Sequence, residues 1–346
     1  MTNEFETNPL LNWTDLPAYD QITAAHVEPA IKALLARSEK IVSDIEKRRP
    51  TRWDEFMPEL EEMEDRFYRS WGIVGHFHNV QNSPELREAY QKMQGPVVAF
   101  FNRYQQSRPL YEAFCALREG DEWAQFEEPQ KRIVTSAIKN AELGGVGLEG
   151  EKRERFNEIS QRLAELGNQF SNNVLDATKS FQLKLTTGEE IVGLPQSFLE
   201  MTAAAARKAG DEEATAEKGP WLVTLDYPSY VGFMKYSQRR DLRRQLYIAY
   251  MNRGAEGEFD NAPLVDEILE LRQEMAAILG YDSYAEVSLS RKMAPSVAAV
   301  DTLLKQLRDA AQSAGERDID ELITAAKEAG VPEATGFSYW DIAYWT

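Results

Sequence analysis

From Thr23 onward, apolar residues recur at steps of three and four, the spacing that gives a helix one buried face. Ile31, Leu34, Leu35, Ile41, Val42 and Ile45 fall on or near one stripe, and Pro50 stops the run because proline lacks an amide donor and clashes with the preceding turn. A second helix is expected from Arg52 to about Phe77. Ser83-Pro84 marks a third start, with a hydroxyl to cap exposed amides and a proline where its missing donor is harmless. Residues 84–118 read as one long helix or two, broken or kinked near Pro96 and Pro109, and Trp123 to Leu143 as another. The cleanest stripe lies in 151–179, where Phe156, Ile159, Leu163, Leu166, Phe170 and Val174 line one face.

The period then changes. Phe181-Gln182-Leu183-Lys184-Leu185 alternates strictly, the mark of a short half-buried strand, and Trp221-Leu222-Val223-Thr224-Leu225 is a second candidate able to pair with it. Between them, Ala203 to Glu217 reads as an alanine-rich, charged surface helix and turn. Helix resumes at Pro228, with Asp226 as a candidate cap. Leu264, Ile268, Leu271, Met275 and Ile278 form a further stripe closed by Gly280, and Ser283 with Glu286 matches a capping box. A last amphipathic run covers Val297 to about Ala329, with a possible break at Gly315. The expected class is mainly α: a multi-helical array of roughly ten to twelve helices with a small β ribbon. Three regions follow: an extended arm over 1–22, tacked down by Trp13, Leu16 and Tyr19; a helical lobe over 23–180; and the ribbon plus helices over 181–346.

Charge narrows the functions. Against 39 basic residues stand 57 acidic ones, a formal charge of -18, which repels nucleic-acid phosphates and anionic lipid. Basic clusters such as Lys47-Arg48-Arg49 and Arg239-Arg240 are answered by nearby acids, so no nucleic-acid partner is expected. No stretch reaches the roughly 18 apolar residues of a membrane span. Met1 to Asn12 lacks the positive-then-apolar order of a secretory signal, and the single Cys115 permits no internal disulfide. The expected location is cytoplasmic.

Candidate chemistry is sparse. A helical zinc-hydrolase site needs two histidines four apart with a glutamate between. Only His26, His76 and His78 are present, and positions two apart on a helix point away from each other. His78 is read instead as a helix C-terminal residue favoured by the dipole, with Asn79 as the breaker. Gly144-Gly145-Val146-Gly147 follows a helix, and Lys152 has no hydroxyl residue after it, so a C-cap and turn is the reading rather than a phosphate loop. Cys115, in an apolar phrase without a neighbouring histidine, reads as a small buried side chain. Tyr227, Tyr230, Phe233 and Tyr236 read as inter-helix packing, with cleft lining as the alternative. No catalytic, cofactor-binding or metal-binding residue is assigned.

Several phrases go beyond generic helix. They are Glu165-Leu166-Gly167-Asn168-Gln169-Phe170-Ser171-Asn172-Asn173-Val174-Leu175-Asp176-Ala177-Thr178, Asn82-Ser83-Pro84-Glu85-Leu86-Arg87-Glu88-Ala89-Tyr90, Thr224-Leu225-Asp226-Tyr227-Pro228-Ser229-Tyr230, Leu279-Gly280-Tyr281-Asp282-Ser283-Tyr284-Ala285 and Trp340-Asp341-Ile342-Ala343-Tyr344. In order and spacing they resemble the thimet oligopeptidase (M3) family of zinc metallopeptidases, in its oligopeptidase A branch. The resemblance implies the N-terminal lobe of the neurolysin/thimet oligopeptidase-like fold, with a channel that admits short peptides, including freed signal peptides. It implies a zinc ion held by a His-Glu-x-x-His helix and a downstream glutamate. That motif is absent from this sequence, so the catalytic zinc domain is expected to lie outside this chain. The chain alone is expected to bind no Zn2+ and to be inactive, its partners being short peptides and the catalytic half. The alternative is a stand-alone, non-catalytic peptide-binding or interaction protein of the same fold. Phe337 to Thr346 carries five aromatics in ten positions, and an unpartnered apolar end of this kind predicts self-association or a mobile tail.

Overall fold

Helical periodicity becomes helix almost throughout. The computed structural model describes residues 4–12, 16–331 and 335–346, and among these are fourteen α-helices and one two-stranded sheet. In chain order they begin with α1 (Glu4–Thr7), α2 (Ala24–Arg48), α3 (Met57–Val80), α4 (Pro84–Gln105), α5 (Arg108–Glu119), α6 (Glu128–Leu143) and α7 (Gly150–Ser180). Strand β1 (Leu183–Leu185), α8 (Gln196–Lys208), β2 (Trp221–Val223), α9 (Tyr227–Tyr236) and α10 (Arg240–Met251) follow. The last are α11 (Ala262–Leu279), α12 (Tyr284–Leu289), α13 (Val297–Glu328) and α14 (Tyr339–Trp345). The chain divides into two compact units, one running to Glu165 with Leu269–Pro295, the other Leu166–Ile268 with Ser296–Thr346.

In the first unit the helix ends follow local chemistry. Ser83 and Ser107 each accept the amide of the third residue on, at 3.2 and 3.3 Å, and so start α4 and α5. The break between these helices falls at Gln106-Ser107, and Pro96 sits inside α4 without ending it. Pro109 instead occupies the first turn of α5. The end of α6 is a left-handed glycine cap: Gly145 has φ +85°, and the Val146 amide reaches back to the Ala141 carbonyl at 3.0 Å. Two apolar clusters hold this unit. One gathers Val42, Ile45, Phe56, Leu60, Phe114, Leu117 and Ile138, and the other Leu10, Val27, Ile31, Leu34, Phe67, Val74 and Met93.

The arm is not extended as expected. It opens with the short α1, and Leu10 and Leu11 anchor it, Leu10 being fully buried and its carbonyl accepting the Ser70 hydroxyl at 2.8 Å. Leu16, an expected anchor, is 80% exposed, while Tyr19 rests edge-on against Phe77. Trp13 lies outside the described residues. The interior of the adjoining helices outweighs a single leucine at the rim, because only a residue that reaches it removes apolar area from water.

In the second unit, β1 and β2 pair antiparallel with Leu183 opposite Val223 and Leu185 opposite Trp221. The alanine-rich helix does more than coat the surface. Phe198, Leu199, Ala203 and Ala206 of α8 are buried with the ribbon in one core that also takes in Leu225, Phe233, Met234 and Leu246. Alanine suits that position because it lets a helix lie close over a strand. Gly315 does not break α13, whose 32 residues are continuous. Lacking a packed neighbour at Gly315, the helix loses only the modest propensity difference between glycine and alanine. Across α13, Ala326 alone is buried, and Leu303, Leu304 and Leu307 are 55–58% exposed.

Candidate functional site

The histidines come first, since a zinc site would need them. α3 runs through Asn79 to Val80, so His76 and His78 are both helical and diverge. The expected break at Asn79 is displaced because Asn82 closes the helix from beyond, its amide donating to the His78 carbonyl at 2.6 Å. His78 is buried and stacks on Tyr90 with ring centroids 4.5 Å apart. Burial, aided by the Arg87 charge, pushes its pKa below the usual imidazole value. Packing therefore favours the neutral ring. His26 uses Nδ1 to accept the Thr23 amide at 3.0 Å. Among the described residues no three His, Cys, Asp or Glu side chains converge as metal ligands, so the residues present do not fit the family's zinc. Cys115 is half-buried against the α5–α6 core.

The tyrosine-rich segment divides by residue. On α9, Phe233 is fully buried, Tyr230 is half-buried, and Tyr227 and Tyr236 are 70% and 43% exposed. Asp226 precedes the helix but does not cap it: its carboxylate accepts the Thr224 hydroxyl at 3.0 Å. The nearby Ser229 hydroxyl accepts the Thr224 amide. Tyr230 stacks on Tyr250 of α10 at 3.8 Å, and the Arg253 guanidinium lies 3.6 Å from the Tyr250 ring centre. Burial first, and then Tyr247 and Tyr250, push the Tyr230 phenol up to about 12, so it stays a neutral donor. A face of stacked phenols and a guanidinium can grip an extended chain by stacking and hydrogen bonding.

What fixes that face is a charge cluster that periodicity does not reveal. Asp341 of α14 is fully buried, and so is Arg243 of α10. Arg243 Nη2 donates to Asp341 Oδ1 at 3.1 Å, and Arg240 donates through Nε and Nη2 at 3.0 and 2.8 Å. Arg243 also donates to the Ser237 carbonyl at 2.7 Å and lies 4.1 Å from the Tyr344 ring centre. The aromatic end read as unpartnered is thus an ordered helix on α9 and α10, with Trp340 and Ala343 against the ribbon core; Tyr339 remains 73% exposed. A signal for part of this exists in the sequence. Ser338 and Asp341 have the spacing of a cap, and Asp341 Oδ2 accepts the Ser338 amide at 3.0 Å.

Residues 31–153 match Neurolysin/Thimet oligopeptidase, N-terminal domain, and residues 233–346 match Peptidase family M3. The chain is 44% identical over 340 residues to the probable cytosolic oligopeptidase A of Arabidopsis thaliana, covering 98% of this chain and 48% of that protein. The chain is an oligopeptidase A homologue of peptidase family M3. It is 43% identical to the organellar (chloroplastic/mitochondrial) oligopeptidase A of Arabidopsis thaliana and 39% identical to the oligopeptidase A of Escherichia coli K12. In both cases 98% of this chain is covered, with 43% and 50% of the relative. The chain therefore spans about half the length of the curated relatives it matches, as the N-terminal half of such a protein would.

In this M3 homologue the asparagines of the α7 signature phrase have a structural task. Asn173 donates to Asn261 Oδ1 at 2.9 Å, and Asn261 in turn donates to the Phe170 carbonyl at 3.2 Å. The pair fastens α7 to the loop that starts α11. Among the described residues no helix is long and apolar enough to cross a membrane.

Proposed function

We propose that this chain is the N-terminal part of an oligopeptidase A-like zinc metalloendopeptidase of the cytoplasm that degrades short peptides, freed signal peptides among them. In this reading the chain forms channel wall and limits substrate size, while the zinc ion and its water-activating residues belong to the catalytic half. Zinc held there would supply a bound water of lowered pKa and a Lewis acid for the scissile carbonyl. This chain contributes peptide-gripping surface, of which the Tyr230–Tyr250–Arg253 stack is a candidate. The observation that carries the reading is similarity along 98% of the chain to oligopeptidase A proteins about twice its length. The leucine face of α13 supports it, since apolar side chains at that exposure suit a polypeptide partner. Short peptides and the catalytic half are the proposed partners, with no nucleic acid and no membrane.

A second reading, a stand-alone non-catalytic peptide-binding protein, draws on the α14 helix, where Asp341 pairs with Arg243 and where Trp340 and Ala343 pack against the ribbon core of the same unit. One experiment separates the two. The chain is assayed alone and combined with a polypeptide equivalent to the remaining half of the Escherichia coli relative, using quenched fluorescent peptides, zinc and a chelator control. Zinc-dependent cleavage of short peptides only in the combination is the expected result. Peptide binding by the chain alone, with a combination that stays inactive, favours the second reading. Zinc-dependent cleavage by the chain alone overturns both.

A further inference from the structure

A cavity of about 280 Å³ in the first unit lies among α3, α4, α5 and α6. Its floor is apolar, with Leu60, Leu110 and Phe114 buried at its edge, and three phenol rings, Tyr68, Tyr104 and Tyr111, line it. Glu64 is the one formally charged residue in the lining. Its carboxylate accepts the Tyr104 hydroxyl at 2.8 Å, and no Lys, Arg or His nitrogen of the described residues makes an ion pair with it. A carboxylate in such surroundings is ordinarily paired or neutralised. Burial, with Glu61 adding repulsion, accordingly pushes the Glu64 carboxyl above its usual range. Two cations stand near Tyr111: Arg108, 5.9 Å from its ring centre, bonds to Glu112, and Arg118 pairs with Glu119 at 3.7 Å, so neither answers Glu64.

We propose that this cavity binds a small organic ammonium ion, its charge against Glu64 and its apolar body among Tyr68, Tyr104 and Tyr111. Each component has a physical reason. The ring faces attract a cation through their quadrupoles, more strongly where water is excluded. The carboxylate supplies the charge opposite to the ammonium, and no Lys, Arg or His of the lining already answers it. At about 30 Å³ per water the cavity has room for roughly nine waters, enough for an alkylammonium of five or so heavy atoms. The net charge of -18 further favours cations over anions near this surface. The same chemistry is offered by a free amine and by a lysine side chain of a peptide. This inference does not depend on the peptidase reading.

The test is calorimetric titration of the intact chain with n-butylammonium chloride at neutral pH, with n-butanol as the uncharged isostere. Saturable binding of one ammonium per chain is expected, with n-butanol at least tenfold weaker. Glu64→Gln keeps an acceptor for Tyr104 and should weaken ammonium binding at least tenfold. Tyr68→Leu, at the exposed rim, should weaken it about threefold to tenfold. Circular dichroism melts of both variants verify that the fold is kept. In mildly acid buffers of different ionisation heat, wild type should release a proton on binding and Glu64→Gln should not. Competition by end-blocked lysine assigns a peptide lysine as an acceptable source; its failure to compete assigns free amines. Absence of saturation at about 10 mM, equal binding by n-butanol, or undiminished binding by a folded Glu64→Gln overturns the proposal.

Discussion

Replacing Asp341 by alanine should destabilise the second unit more than any exposed ion pair in the molecule could. Arg240 and Arg243 donate to its two oxygens at 2.8–3.2 Å, and the Ser338 amide adds a further bond at 3.0 Å. Asp341 and Arg243 have fully buried side chains. Hydrogen bonds to a charged group contribute about 1.5–3 kcal/mol each, but groups sharing one carboxylate are not additive. The better guide is the cost of removing one member of a buried pair, about 3–5 kcal/mol. With a urea slope of about 2–3 kcal/mol/M, the unfolding midpoint of this unit should fall by roughly 1–2.5 M. Tryptophan fluorescence reports the event, since Trp340 and Trp345 flank the site on α14 and Trp221 lies in the ribbon. Asp341→Asn, which keeps an acceptor but not the charge, should recover only part of the loss. A loss below about 1 kcal/mol for Asp341→Ala would falsify the account, because it is what an exposed pair gives. The triple change Asp341→Leu, Arg240→Met, Arg243→Met distinguishes stability from specificity. If packing survives, it should cost far less than the single substitution.

Other outcomes follow from single groups. Glu46 is tuned by opposing effects: burial would raise its pKa, but Arg103 at 2.7–2.8 Å and Ser107 at 2.5 Å outweigh it and lower the value. A lowered carboxylate stabilises the fold above its unfolded pKa of about 4.3 and ceases to do so as pH falls. Glu46→Gln should therefore cost about 1–2 kcal/mol at neutral pH, with the gap to wild type closing in urea melts below about pH 4. Glu64 has the opposite sign. Its raised carboxyl costs the native state stability as pH climbs past the ordinary carboxylate range. Glu64→Gln should thus gain on wild type with rising pH, and a gap that is flat from acid to neutral pH would refute this. Tyr230→Phe removes a hydroxyl with no hydrogen-bond partner among the described residues, so stability should change by less than about 0.5 kcal/mol. If Tyr230 touches peptide, turnover in the assembled two-part peptidase should fall threefold to tenfold, about one hydrogen bond's worth.

The helices were legible where one face alternates with water at a fixed period. Phe156, Ile159 and Leu166 are buried as their spacing requires, and Leu183 and Leu185 face inward across Lys184. Punctuation was legible where a side chain bonds its own local backbone, as at Ser83 and at the glycine cap after α6. It failed where another residue takes the partner that the simple spacing rule assigns. Asn82 closes α3 one turn beyond the expected breaker, Thr224 engages the carboxylate expected to cap α9, and the ribbon takes up alanines that look like a surface face. The first two are local bonds, four and two residues apart, in which a side chain has several partners within reach and spacing does not fix the choice; only the third depends on tertiary packing.

The same division explains why the two sites with most physical consequence were missed. Asp341 lies 98 and 101 positions from Arg243 and Arg240, and each reads alone as an ordinary helix-surface charge. Glu64 stands in a run of acids, Glu59, Glu61, Glu62, Glu64 and Asp65, where nothing marks it out. Yet Glu59 and Glu62 bond to Arg48 and Arg37 in the open, while Glu64 lines a cavity with three phenols and makes no ion pair among the described residues. An acidic run thus conceals a carboxylate whose surroundings would be completed by a positive charge. Composition argues for repulsion of anions across the whole surface; packing decides which single acid becomes a site.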